Sequence, residues 1–149
     1  MLKEKILADT KVAMKAGDVK RLGVLRMLSS ALNNAKIEKR AKTGKEEELA
    51  DDEALLVLAR EAKKRRESIT IFEQGGRADL AQGEKEELVF IENYLPKQMS
   101  EAEIRSALEK AVAAAPVKEF GAIIKDASKE FKGKADGSLV AKLLKELLG

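Results

Sequence analysis

Cysteine, histidine and tryptophan are absent from the 149 residues, and there are only two prolines, one tyrosine and four phenylalanines. Without thiols or imidazoles the chain has no thiolate nucleophile, no disulfide, no side chain that titrates near neutral pH and none of the usual zinc ligands. Neither a metal nor a cofactor is therefore expected. Aromatic residues at 3% leave little to stack on nucleobases. No apolar run is long enough to cross a bilayer, and Met1-Leu2-Lys3-Glu4-Lys5 lacks the hydrophobic region of a signal peptide. A soluble, cytoplasmic monomer with no membrane partner is the expectation. Charge of one sign is also scarce: 29 basic against 26 acidic residues give +3, a surplus that permits nucleic-acid contact without demanding it.

What the chain does have is 44% hydrophobic content, nearly all aliphatic, which suits stripes on amphipathic helices. These are interrupted at Glu92-Asn93-Tyr94-Leu95-Pro96-Lys97-Gln98-Met99-Ser100-Glu101. Pro96 has no amide hydrogen and disfavours the α conformation at Leu95, so one helix must end there. Ser100 with Glu103 then reads as a capping box that starts another. Tyr94 and Leu95 are expected to pack the two halves together at this joint. The expected fold class is all-α: an N-terminal four-helix bundle over residues 1–96, then a C-terminal three-helix bundle over 97–149.

In order, Leu2, Ile6, Leu7, Thr10, Ala13 and Met14 predict a first helix, which stops at Gly17 before an N-cap at Asp18. A second helix to about Ala41 carries Leu25, Leu28, Ala31, Leu32 and Ala35 and ends in the basic cluster Lys36, Lys39, Arg40 and Lys42. Thr43 to Glu48 reads as a loop, and its Gly44-Lys45 lacks the upstream glycine of a phosphate-binding loop. Asp51 is the expected cap of a third helix with the stripe Leu55, Leu58, Ala62, Ile69 and Phe72, closed by Gly75-Gly76. A fourth follows with Leu80, Leu88, Ile91 and Leu95. Beyond the joint, Ile104, Ala107, Leu108, Ala111 and Val112 precede Pro116. Phe120, Ile123, Ile124, Ala127 and Phe131 precede Gly133, and Val140, Leu143, Leu144 and Leu147 follow an N-cap at Asp136.

One position breaks the third stripe. Arg65 belongs to it by spacing, yet its guanidinium keeps its proton and is costly to bury alone. A hairpin reversal at Gly75-Gly76 would set Arg65 against Glu87, with Glu84 one turn away, so a charge network of Arg65, Glu84 and Glu87 is expected. Two readings stand: a register-fixing ion pair, favoured because no nucleophile lies near it, or a carboxylate pair steered by arginine for catalysis.

Several strings resemble the GatB/YqeY family over essentially the whole chain. They are Arg21-Leu22 with Val24, Arg26-Met27-Leu28 and Ala31-Leu32; Arg65 with Glu67-Ser68-Ile69 and Phe72; Gly76-Arg77 with Asp79-Leu80; Tyr94-Leu95-Pro96-Lys97-Gln98; and Gly133, Ala135-Asp136-Gly137, Leu139-Val140 and Leu143. Family members are similar to the C-terminal helical and tail region of the B subunit of glutamine-dependent aspartyl/glutamyl-tRNA amidotransferase. The resemblance implies a four-helix bundle followed by a three-helix bundle, a tRNA-handling role, and the family label of a carbon–nitrogen ligase with glutamine as amido-nitrogen donor. The glutaminase of that complex uses a Ser-Ser-Lys arrangement on another subunit, and no glycine-rich serine loop here could host it. No catalytic residue is assigned.

The favoured function is therefore an RNA-binding accessory module that engages tRNA by phosphate contacts and shape. One candidate surface is the turn at Lys129, Lys132, Gly133 and Lys134 with Lys142 on the last helix, where free backbone amides and the helix dipole would hold a phosphate. A second joins Lys36, Lys39 and Arg40 to Lys63, Lys64 and Arg66. The bland alternative for both is a solvated lysine face. The competing function is an adaptor that docks on an amidotransferase, an aminoacyl-tRNA synthetase or another translation factor through Leu56, Val57 and Ile71.

Overall fold

The computed structural model describes residues 1–149 and is all-helical, with seven helices and no strand. They are α1 (Leu2–Ala16), α2 (Val19–Thr43), α3 (Asp51–Gln74), α4 (Ala78–Glu92), α5 (Glu101–Ala114), α6 (Phe120–Glu130) and α7 (Gly137–Leu148). The chain divides into two compact units, Met1–Leu95 with α1 to α4 and Pro96–Gly149 with α5 to α7. No helix is long and apolar enough to cross a membrane.

Local chemistry explains most helix ends. Gly17 and Gly44 take the left-handed conformation that closes α1 and α2, at φ 68° and 70°. The Asp18 carboxylate accepts from the Arg21 amide at the start of α2. Ser100 and Glu103 exchange bonds in a capping box at α5. At α3 the expected cap differs: Asp51 is already helical, Ala50 is the cap residue, and the Glu53 carboxylate satisfies the Ala50 amide instead.

The core of the first unit gathers Ile6 and Ala13 from α1, Val24, Leu25, Leu28 and Leu32 from α2, Ala54, Val57, Leu58 and Ala62 from α3, and Ile91 from α4. Several stripe members lie elsewhere than the spacing suggested. Leu7 and Met14 are exposed on α1, Ile69 and Phe72 are only half-buried, and Leu80 stays 42% exposed while Ala81 beside it is buried. The reason is reach. No residue of α3 beyond Ala62 is buried, so the distal part of the α3–α4 hairpin extends past the shared core. Tyr94 and Leu95 pack against this first core. In the second unit, Ile104, Leu108, Ile123, Ala127, Phe131, Val140, Leu143 and Leu144 form a separate core.

Candidate nucleic-acid interface

The basic residues of the first unit are largely neutralised by their neighbours. Lys36 reaches Glu48 at 2.5 Å, Lys39 reaches Glu53 at 2.8 Å and Glu47 at 3.8 Å, and Arg40 reaches Glu46 at 3.4 Å. Its bond to Glu53 holds Lys39 above the usual ammonium range, while Lys39, then the Ala50 amide, hold Glu53 below the carboxylate range. Glu48 is likewise lowered, first by Lys36 and then by Lys3. On α3, Lys64 pairs with Glu61 and Arg66 with Glu92, both at 3.1 Å, and Lys63 is half-buried. Lys36, Lys39, Arg40, Lys64 and Arg66 thus do not present a bare cationic face.

Arg65 sits at the centre of a compact charge cluster. Its Nε lies 3.0 Å from Glu87 and 3.7 Å from Glu84, its Nη1 lies 3.2 Å from Glu61, and its Nη2 meets the Met27 sulfur at 3.1 Å. Its side chain is only 15% exposed. Glu61, which sequence reasoning did not include, is the one buried charged residue, at 9% exposure. Its signal was available: it stands one turn before Arg65, where (i, i+4) side chains meet. Carboxylates from both helices surround this guanidinium, so the cluster ties α3 to α4.

In the second unit, Lys129, Lys132, Lys134 and Lys142 are exposed, and Gly133 turns the chain at φ 76°. Lys125 and Lys129 lie on the side of α6 opposite buried Ile123 and Ala127, and Lys132 follows in the turn after the cap residue Phe131. Three of the amides in this stretch are already engaged within the protein. The amides of Lys134 and Ala135 both donate to the Phe131 carbonyl, at 2.9 and 3.1 Å, because they close the turn after α6. The Ser138 amide donates to the Asp136 carboxylate, which caps α7 and places a negative charge at that helix end. The amides of Lys134, Ala135 and Ser138 are thus not open to an anion, whereas the lysine side chains are exposed.

The segment before α5 is fastened to this same turn. Gln98 Nε2 donates to the Pro96 and Gly133 carbonyls at 2.9 and 2.8 Å, and the Met99 amide donates to the Lys134 carbonyl at 2.9 Å. The Pro96 ring lies beside Gly133, 3.8 Å from where a Cβ would stand. Each residue of the string Tyr94 to Gln98 that touches its unit therefore has a physical duty. Tyr94 donates to Asp9, Leu95 covers the first core, and Pro96 with Gln98 secures the lysine-bearing turn.

A family model described as Yqey-like protein matches residues 3–148. The chain belongs to the YqeY-like family. No curated protein matches it. In this YqeY-like chain the strings that carry the resemblance include residues of both cores, of the charge cluster, of the segment Tyr94 to Gln98 and of the turn after α6. Of the residues proposed for an adaptor surface, Val57 is buried in the first core and Leu56 is half-buried, which removes them as docking groups; Ile71 remains 65% exposed.

Proposed function

We propose that this YqeY-like protein is an RNA-binding accessory module that grips the phosphates of tRNA with the lysines of the second unit, and that it carries out no chemistry alone. The two units act in this reading as a four-helix and a three-helix bundle that fold as separate domains. The observation that carries it is the contrast between the two basic sets: those of the first unit are mostly held in ion pairs, whereas Lys129, Lys134 and Lys142 stand exposed beside a turn fastened by Gln98 and Met99. An exposed lysine face suits phosphate and shape contacts, and the shortage of aromatic residues argues against base stacking. Absence of His and Cys from the sequence removes the commonest acid–base and nucleophilic groups.

The test is a titration of purified protein with tRNA at two salt concentrations. Affinity should fall steeply with salt, with a log–log slope of roughly 0.9 per phosphate neutralised on duplex regions. Joint charge reversal of Lys129, Lys132, Lys134 and Lys142 should flatten that slope without moving the melting temperature. Absence of tRNA binding at low salt overturns the reading. An adaptor role has one observation in its favour: Ile71, Leu80 and Val89 are exposed on α3 and α4 at 65%, 42% and 58%. Capture of an amidotransferase or synthetase subunit that survives ribonuclease and is lost in Ile71→Asp would favour that role instead.

A further inference from the structure

The irregular segment between α2 and α3 runs alongside the basic end of α2 with three successive glutamates. Glu46 meets Arg40, Glu47 meets Lys39, and Glu48 meets both Lys36 and Lys3, at 3.4, 3.8, 2.5 and 3.0 Å. The order is antiparallel. Lys36 and Arg40 are separated by about 6 Å along a helix, and three extended residues span about 7–10 Å, so an extended anionic strand matches the ridge in length. Carboxylates satisfy lysine and arginine donors in much the same way as phosphate oxygens do.

We propose that the Lys3, Lys36 and Arg40 ridge is a second binding site for an RNA phosphate backbone, covered by the chain's own glutamate strap. Several features make the strap displaceable. Glu46, Glu47, Glu48 and Leu49 make no backbone–backbone hydrogen bond. The strap's glutamates are held by ion pairs with exposed carboxylates, which are individually weak and screened by salt. The Lys39 ammonium on the Glu48 carbonyl at 3.2 Å and Leu49, half-buried against the first core, anchor the end of the strap nearest α3. Its ends are fixed independently, by left-handed Gly44 on one side and by the Ala50–Glu53 bond on the other. Lys39 is the exception, since its shorter bond to Glu53 belongs to the α2–α3 contact and persists when the strap leaves. An incoming strand that carries several phosphates replaces three carboxylates at once.

This site shares its ligand class with the lysine face of α6 and α7 but none of its residues, so the two are tested apart. The experiment uses the full chain with Lys129, Lys132, Lys134 and Lys142 reversed, and a labelled oligouridylate as probe. Adding E46Q/E47Q/E48Q should tighten binding by roughly tenfold at low salt, as expected for release of the four weak pairs these glutamates make. A charge-matched control, E67Q/E109Q/E119Q, should produce a much smaller gain. Reversal of Lys36 and Arg40 in the strap variant should abolish the increase. Equal gains from strap and control, or a gain that survives K36E/R40E, would mean nonspecific attraction and overturn the proposal. Loss of wild-type tRNA binding on reversal of the α6–α7 lysines bears only on the earlier reading. Should the triple variant unfold, E46Q/E48Q tests the same gain with Glu47 in place.

Discussion

Tyr94 is the sole tyrosine in a chain without tryptophan, so its ionisation can be followed with no overlapping signal. Burial, and then its bond to Asp9, push the phenol from about 10 up to about 12, and Lys5 lies 5.5 Å from the ring centroid. A neutral phenol is thus the form the fold favours. Because the folded value is raised, the stabilisation is complete below about pH 10 and is lost as pH rises towards 12. Absorbance at 295 nm should show a midpoint near 12 that falls back towards 10 in Asp9→Asn; a wild-type midpoint at 10 would refute the contact. Arg65 gives a second prediction. Arg65→Ala leaves Glu84 and Glu87 without their cation and buried Glu61 with Lys64 alone, and should cost about 3 kcal/mol in urea unfolding. A loss below about 1 kcal/mol would place the cluster among solvated surface pairs. Arg65 stood out in the sequence because a full charge on an apolar stripe is costly. Glu61 did not, because the stripe was set on Leu55 and Leu58 when the buried face is Ala54, Val57, Leu58 and Ala62.

At the scale of elements, helix starts and stops were legible where a single side chain or a left-handed glycine decides them, as at Gly17, Asp18 and Ser100, whereas α2 runs to Thr43 and closes at Gly44, past the expected end near Ala41. What spacing could not convey was how far each helix reaches over its neighbours. Leu80 and Ala81 show the difference: the periodic pattern selects leucine, yet the alanine is buried and the leucine faces solvent. Periodicity locates a face to within one residue, and a helix as long as α3 buries only the part that others cover. At the turn after α6 the engagement of the Lys134 and Ala135 amides with the Phe131 carbonyl was not legible, since it depends on turn geometry that no residue type announces. That turn offers its own prediction. Gln98→Ala removes both bonds that hold the Gly133 and Pro96 carbonyls and should destabilise the second unit by about 1–2 kcal/mol. Gly133→Ala, at φ 76° with open contact to Pro96, should cost about 1–2 kcal/mol from backbone strain alone. Thermal melts of the two variants check both numbers, and a neutral Gln98→Ala would mean that the turn holds without its strap of side-chain bonds.

For the whole molecule, the consequence of two cores is two stabilities. The first core gathers buried residues from four helices, while the second rests on Ile104, Leu108, Ile123, Ala127, Phe131, Val140, Leu143 and Leu144 within Pro96–Gly149. A unit of that length approaches the size, about 55–65 residues, at which a single apolar core is only marginally stable. The probes separate the units without engineering, because Tyr94 reports the first alone whereas circular dichroism at 222 nm sums all seven helices. Urea should therefore remove part of the helical signal, that of α5, α6 and α7, before tyrosine fluorescence moves. Gln98→Ala should shift only that early phase, and Arg65→Ala only the later one, since each substitution acts inside one core. Coincident curves for both probes, with either substitution moving them together, would mean that the chain unfolds as a single cooperative unit. In that case reversal of the α6–α7 lysines would have to be judged against the stability of the entire protein. With separate transitions, the proposed tRNA contact and the fold of the second unit can be tested on the same segment while the first unit serves as an internal reference.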